Sequence, residues 1–348
     1  MKTIIHNIKI AAIASYVPET VLELSSLAAE YGEREVDNII KTTGIERVRI
    51  SGESQTSSDM CFEAAIHLIK KENIDIAKID GLVFVSQTTD YILPATSVIL
   101  QDRLELSKET VCIDIHYGCS GYIYGLFQAA LWISSGACKN VLVLSGDTTS
   151  KMIHRKDKSM RMVFGDAGTA TLVSKGTSTM AFNICSDGSG YDQLIVKAGG
   201  FRMPKSEQTK DLIADEDNNI RTLEDLSIDG LGIFSFVISE VHPNVNAVID
   251  QMCWDKDNVN LFAFHQANKY LLSYVQKRLK VPAEKIPMNV LNYGNTGPAS
   301  IPLLLSDIYS SKNDNLEKVV LCGFGVGLSW GSIACDLRET HFYEPLNK

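Results

Sequence analysis

Two glycine-rich turns stand 176 residues apart in this chain, Tyr117-Gly118-Cys119-Ser120-Gly121 and Tyr293-Gly294-Asn295-Thr296-Gly297. Two further segments recur at nearly the same offset. Val85-Ser86-Gln87 matches Phe264-His265-Gln266 at 179, and Val141-Leu142-Val143-Leu144 matches Val319-Val320-Leu321-Cys322 at 178. Strands resemble one another, so a single match carries little, but three in one order at almost one spacing favour an internal duplication. The 348 residues then divide into two halves, 1–176 and 177–348, whose equivalent loops meet about a pseudo-twofold axis. Strand-like runs such as GLVFVSQ (81–87), NVLVLSGD (140–147), LFAFHQ (261–266) and KVVLCGFG (318–325) alternate with helix-like segments. That alternation predicts an α/β fold assembled from βα units.

In a duplicated chain, positions that differ between matched loops carry the information: Cys119 against Asn295, and Ser86 against His265. After Cys119, the segment GYIYGLFQAALWISSG places Ile123, Leu126, Phe127, Ala130 and Leu131 at helical spacing, and Gly136 supplies a stop. Cys119 therefore falls between a strand and a helix N-terminus. Unpaired N–H groups and the positive end of the helix dipole favour a thiolate there, below the ordinary thiol pKa near 8.5. On that basis Cys119 is expected to react with iodoacetamide at neutral pH faster than the other seven cysteines. The plain alternative is a buried structural cysteine.

Of the seven histidines, His265 ends the apolar strand LFAFH and leaves the core where loops gather. His116 adjoins the cysteine turn, but strand alternation points it elsewhere. His6 and His341 lie near the ends, His67 in a helix-like run, and His154 and His242 in polar segments. Asn295 is expected at a second strand-to-helix turn, with Pro298 and Pro302 accommodated at the start of the following helix. A neutral amide beside a neutral imidazole could hold a developing enolate oxygen without titrating.

A net charge of -9 and the lack of a basic run argue against a nucleic-acid groove. No apolar run approaches the roughly 20 residues that span a bilayer. Eight cysteines without metal-type or disulfide-type spacing suggest reduced, intracellular thiols, hence a cytoplasmic protein. The N-terminal segment, interrupted by His6, Asn7 and Lys9 and closed by Pro18, reads as a first strand rather than a signal peptide.

Taken together, TGIERVR (43–49), TTDYILPATS (88–97), YGCSG (117–121), FGDAGTATLV (164–173), CSDGSG (185–190), HQAN (265–268), YGNTGPAS (293–300) and GFGVGLSWGS (323–332) resemble the β-ketoacyl-acyl carrier protein synthase III family of thiolase-fold condensing enzymes. The resemblance runs from about Ile10 to Leu337. It implies a thiolase-like, duplicated five-layer αβαβα fold. It also implies a Cys119-His265-Asn295 constellation, with backbone N–H groups of Cys119 and Val326 as an oxyanion hole. Cys119 would take an acyl group from a thioester. His265 and Asn295 would assist decarboxylation of a malonyl-type thioester whose enolate attacks the acyl-cysteine. No metal or organic cofactor is implied.

The departures bear on substrates and partners. Relatives that take coenzyme A clamp its adenine with a Trp and an Arg before the TGI motif, where Asn38 and Thr42 stand here. Tyr270 replaces a basic residue after HQAN, beside Lys269, while Lys158 keeps one cationic position that meets the donor's phosphate. The departures raise the case for an acyl carrier protein as donor, or for a role outside primary metabolism, and leave coenzyme A thioesters as the other donor; an acidic carrier protein would need Lys269, Lys277, Arg278 or Lys280 as docking cations. The resemblance further implies a homodimer in which the loop bearing Tyr91, Ile92 and Leu93 bounds the partner's acyl pocket; the loop could instead pack on its own subunit. The alternative activity on the same fold is cysteine-dependent acyl transfer to an oxygen, nitrogen or non-malonyl carbon nucleophile. A hydroxymethylglutaryl-coenzyme A synthase would need a glutamate where Thr88 and Thr89 stand, and a non-catalytic partner subunit would have lost the cysteine or the histidine.

Overall fold

A computed structural model describes residues 1–311 and 315–347. Ten strands form the main sheet: β1 (Lys2–Val17), β2 (Gly81–Val85), β3 (Val111–Ile115), β4 (Asn140–Asp147), β5 (Ala167–Ser186), β6 (Leu261–Phe264), β7 (Val319–Gly325), β8 (Ser329–Cys335), β9 (His341–Phe342) and β10 (Leu346–Asn347). The order is β6-β7-β8-β5-β4-β2-β3, with β1 on β5, β9 and β10. The two arms mirror one another. β2 runs parallel to β4, and β4 antiparallel to β5; β6 runs parallel to β7, and β7 antiparallel to β8. The long strand β5 crosses residue 176 and bonds to β4 in one arm and β8 in the other, so it joins the arms into one hydrogen-bonded sheet.

Side-chain alternation along the buried strands builds the layers. On β2, Val83 and Val85 enter the central core while Leu82 and Phe84 enter an outer one. On β6, Leu261 and Ala263 enter the same central core while Phe262 and Phe264 enter the opposite outer one. Strands covered on both faces read as continuous apolar runs, which is why both segments lack a polar partner at every second position. Helices α4 (Gly121–Ser134) and α7 (Ser300–Tyr309) fill the centre. Helix α2 (Ser57–Glu72), followed by α3 (Thr96–Arg103), covers one outside; α5 (Gly230–Gln251) and α6 (Lys269–Leu279) cover the other, near α1 (Glu33–Thr43). The result is the five-layer αβαβα arrangement. None of the described helices is long and apolar enough to cross a membrane.

Two expectations need correction. The segment before Asn295 is not a strand: Val290–Tyr293 is one helical turn, and Asn295 makes only an isolated parallel bridge to Phe164. β3 therefore has no strand counterpart in the second arm. Pro298 lies in a single 3-10 turn and Pro302 in the first turn of α7, where a missing N–H is tolerated. His116, just beyond β3, lines the same cavity as Cys119 rather than pointing away.

Candidate active site

Cys119 lies between β3 and α4, one residue before the helix N-cap Ser120, and is 6% exposed. Opposite it runs the turn from β7 to β8. The approach is so close that a Cβ on Gly325 would stand 2.9 Å from the Cys119 Sγ. Ser120 and Ser329 share a 2.6 Å hydrogen bond, and the Ser329 hydroxyl donates to the Val326 carbonyl at 2.7 Å, fastening this turn to the cysteine's own. The backbone N–H groups of Val326 and Cys119 converge on the sulfur.

His265 directly follows β6 and is 1% exposed, its ring edge-on to Phe324 at 5.6 Å. The ring Nδ1 lies 2.7 Å from the Ser300 Oγ, and the backbone of Gly297 makes a further hydrogen bond to the ring. Asn295 is held from both sides of its backbone: its N–H donates to Val163 O and its carbonyl accepts from the Gly165 N–H. Its Oδ1 accepts the Gly297 N–H at 3.0 Å, which leaves the Nδ2 hydrogens as the free donors of the amide. Gly297 thus touches both side chains.

Cys119, His265 and Asn295 line one cavity of about 390 Å³, walled by Met160, Phe164, Ile233 and Phe324 and lined also by Asn268 and the exposed Tyr270. A second cavity, about 310 Å³, shares Cys119, Phe164 and Leu194 with the first and continues past Asp147 and Val326. The sulfur therefore stands between two chambers.

The electrostatics differ from what the helix terminus alone suggested. Burial pushes the Cys119 thiol up to about 12, the nearby Asp147 carboxylate adds to the rise, and the Val326 and Cys119 N–H groups oppose it. Desolvation of the charged sulfur outweighs the donors around it, so the resting thiol is protonated. Burial drives His265 down to about 3, partly opposed by the Gly297 hydrogen bond, so its imidazole is neutral. The resting site is a neutral thiol facing a neutral imidazole and an amide.

The other expected positions lie apart. Lys158 Nζ pairs with Glu35 Oε1 at 3.1 Å, and its chain neighbours Ser159 and Met160 line the first cavity. Lys269 opens α6 with its side chain exposed beside Gly44. Ile92 and Leu93 are 81% and 79% exposed, so the loop tip does not pack on its own subunit. Sequence reading missed Ser300, Ser120, Ser329 and Asp147. The first three lie inside quoted motifs, but only coordinates show which hydroxyl meets which partner.

The family model described as 3-oxoacyl-[acyl-carrier-protein] synthase III matches residues 113–188, and the corresponding C-terminal model matches residues 249–337. A putative 3-oxoacyl-[acyl-carrier-protein] synthase 3 from Campylobacter jejuni is 33% identical, over 98% of this chain and 97% of its own length. A β-ketoacyl-[acyl-carrier-protein] synthase III from Rhodopirellula baltica is 31% identical, over 94% and 97%. The crystal structure of a 3-oxoacyl-(acyl-carrier protein) synthase from Burkholderia xenovorans superposes with a TM-score of 0.91 at 34% identity, covering 100% of this chain and 99% of that one. Matches of this extent, with the layered fold and the cavity floor carrying Cys119, His265 and Asn295, make the chain a member of the β-ketoacyl-acyl carrier protein synthase III family of acyltransferases.

Proposed function

We propose that this chain forms a carbon–carbon bond by decarboxylative condensation, with Cys119 as the acyl carrier. The observation that carries the reading is the single cavity lined by a thiol, an imidazole and a carboxamide, with two backbone N–H groups on the sulfur. In the first half-reaction the Cys119 sulfur attacks a thioester carbonyl. The oxyanion forms against the Cys119 and Val326 N–H groups, and the donor's sulfur leaves carrying the thiol proton. In the second, a malonyl-type thioester loses carbon dioxide. The resulting enolate oxygen accepts from the imidazole and from the Asn295 Nδ2, and its carbon attacks the acyl-cysteine and releases the thiolate. A Ser300 hydroxyl that donates to Nδ1 leaves the His265 proton on Nε2, the tautomer that this donor role requires.

The acyl donor is a thioester of coenzyme A or of an acyl carrier protein, reaching Cys119 past Tyr270. Lys269, exposed beside that entrance, serves as a docking cation; Lys158 serves as a phosphate contact once released from Glu35. Two chains pair through β3, an edge strand with Val111 and Ile113 exposed, so that Ile92 and Leu93 cover the partner's acyl pocket. The test is carbon dioxide release from a malonyl thioester by the purified protein, lost in His265→Ala. Acyl transfer without carbon dioxide release would instead support transfer to an oxygen, nitrogen or other carbon nucleophile.

A further inference from the structure

The second cavity is more polar than a plain alkyl chain needs. Five of its lining side chains carry nitrogen or oxygen atoms that can hydrogen-bond: Gln87, His116, Asp147, Thr149 and Tyr191. Asp147 is 1% exposed and receives four hydrogen bonds, from Ser86 Oγ at 2.8 Å, Gln87 N at 2.7 Å, Thr88 N at 3.2 Å and Thr88 Oγ1 at 3.1 Å. All four fall on Oδ1. Among the described residues Oδ2 has neither a donor nor an ion-pair partner. Thr149 is 4% exposed and its hydroxyl has no hydrogen-bond partner among the described residues; the same holds for the Gln87 amide and the His116 ring.

A buried acceptor left without a donor is destabilised, and buried polar groups in folded proteins are almost always satisfied by protein, water or ligand. The catalytic cavity, by contrast, is walled chiefly by apolar side chains. An alkyl chain filling the second cavity would expel water and leave Asp147 Oδ2 and the Thr149 hydroxyl stranded. A hydroxyl on the acyl chain would donate to the carboxylate and accept from the threonine or the amide. A terminal carboxylate would face Asp147 as a like charge.

We infer that the second cavity selects a short acyl group bearing a hydroxyl, recognised by Asp147 and Thr149 with Gln87 and His116 completing the wall. This rests on the reading of Cys119 as the acyl carrier. Discrimination of this kind is strong because the analogue lacking the hydroxyl leaves the site's own polar groups unpaired.

The test compares three coenzyme A thioesters of equal chain length, 3-hydroxybutyryl, butyryl and succinyl, by the rate at which each adds its mass to Cys119. The expected order is 3-hydroxybutyryl fastest by about tenfold or more, the change that roughly 1.4 kcal/mol produces, with succinyl slowest. Thr149→Val, near in shape, is expected to lower the ratio of 3-hydroxybutyryl to butyryl loading; His116→Ala, at an exposed position, is a second variant expected to narrow that ratio. Butyryl loading as fast as 3-hydroxybutyryl, or a ratio unmoved in both variants, overturns this inference while leaving the acyl-enzyme intact. No adduct from any of these acyl groups or from acetyl, presented on coenzyme A and on acyl carrier protein alike, overturns the acyl-enzyme reading and this one with it.

Discussion

Cys119 is held where two influences oppose each other, donors that favour a thiolate and burial that forbids one, and burial prevails. On the proposed mechanism its charge appears only during attack, as the sulfur's electrons pass to the thioester carbonyl. Alkylation of Cys119 by iodoacetamide is accordingly expected to keep rising by about tenfold per pH unit through pH 9, without a plateau near neutrality. A plateau at pH 6–7, read by peptide mapping, would show a thiolate–imidazolium pair instead. His265 gives a second pH signature. Its folded pKa, about 3, lies below the ordinary 6.5, so the unfolded chain binds the extra proton. Stability from this group is complete above pH 6.5 and falls as the pH drops toward 3, at roughly 1.4 kcal/mol per unit. His265→Asn is expected to flatten that acid limb in denaturant titrations across pH 4–6. At neutral pH, removing the Asn295 amide with Asn295→Ala is expected to slow malonyl decarboxylation by about 10²–10³-fold while leaving acyl loading of Cys119 nearly intact. Equal losses in both half-reactions would argue against an enolate-holding role.

Helix α4 and strand β2 set the position of the cysteine turn through close contact. A Cβ on Gly125 would stand 2.9 Å from methyl carbons of Val85 and Val143. Gly125→Leu is expected to destabilise the fold by about 1–3 kcal/mol, lowering the denaturant midpoint, because the fully buried strand leaves nowhere to move. The strand-forming elements were legible because strands buried on both faces are apolar throughout, as in GLVFV and LFAF. The helix after Cys119 was legible from its period, although Leu131 is 39% exposed and so lies at the edge of the buried face. The segment before Asn295 misled the sequence reading. VLNYG has the composition of a short strand, but the chain turns at Gly294 with φ 63°, and the hydrogen bond from the Gly294 N–H to Val290 O closes a helical turn. A tertiary choice made by Val163 and Gly165, which bond the Asn295 backbone, is invisible locally.

Across the whole molecule, Cys119, His265 and Asn295 come from three distant segments and line one cavity. What sequence did not carry was the set of contacts made between distant segments. The hydroxyl bridge between Ser120 and Ser329 spans 209 residues, and Asp147 reaches the cysteine's surroundings from the end of β4. The open edge at β3, with Ile113 37% exposed, leads to an assembly prediction: Ile113→Lys is expected to shift sedimentation from dimer to monomer at micromolar concentration. An unchanged dimer would place the contact elsewhere.

The central claim is that the Cys119 sulfur carries the acyl group between the two half-reactions. Intact-mass measurement of the protein after incubation with acyl thioesters, followed by peptide mapping, tests it directly. One acyl mass per chain is expected, mapped to Cys119, discharged on addition of a malonyl thioester and absent in Cys119→Ala. An adduct on another residue, or product formed by Cys119→Ala at the wild-type rate, would contradict it.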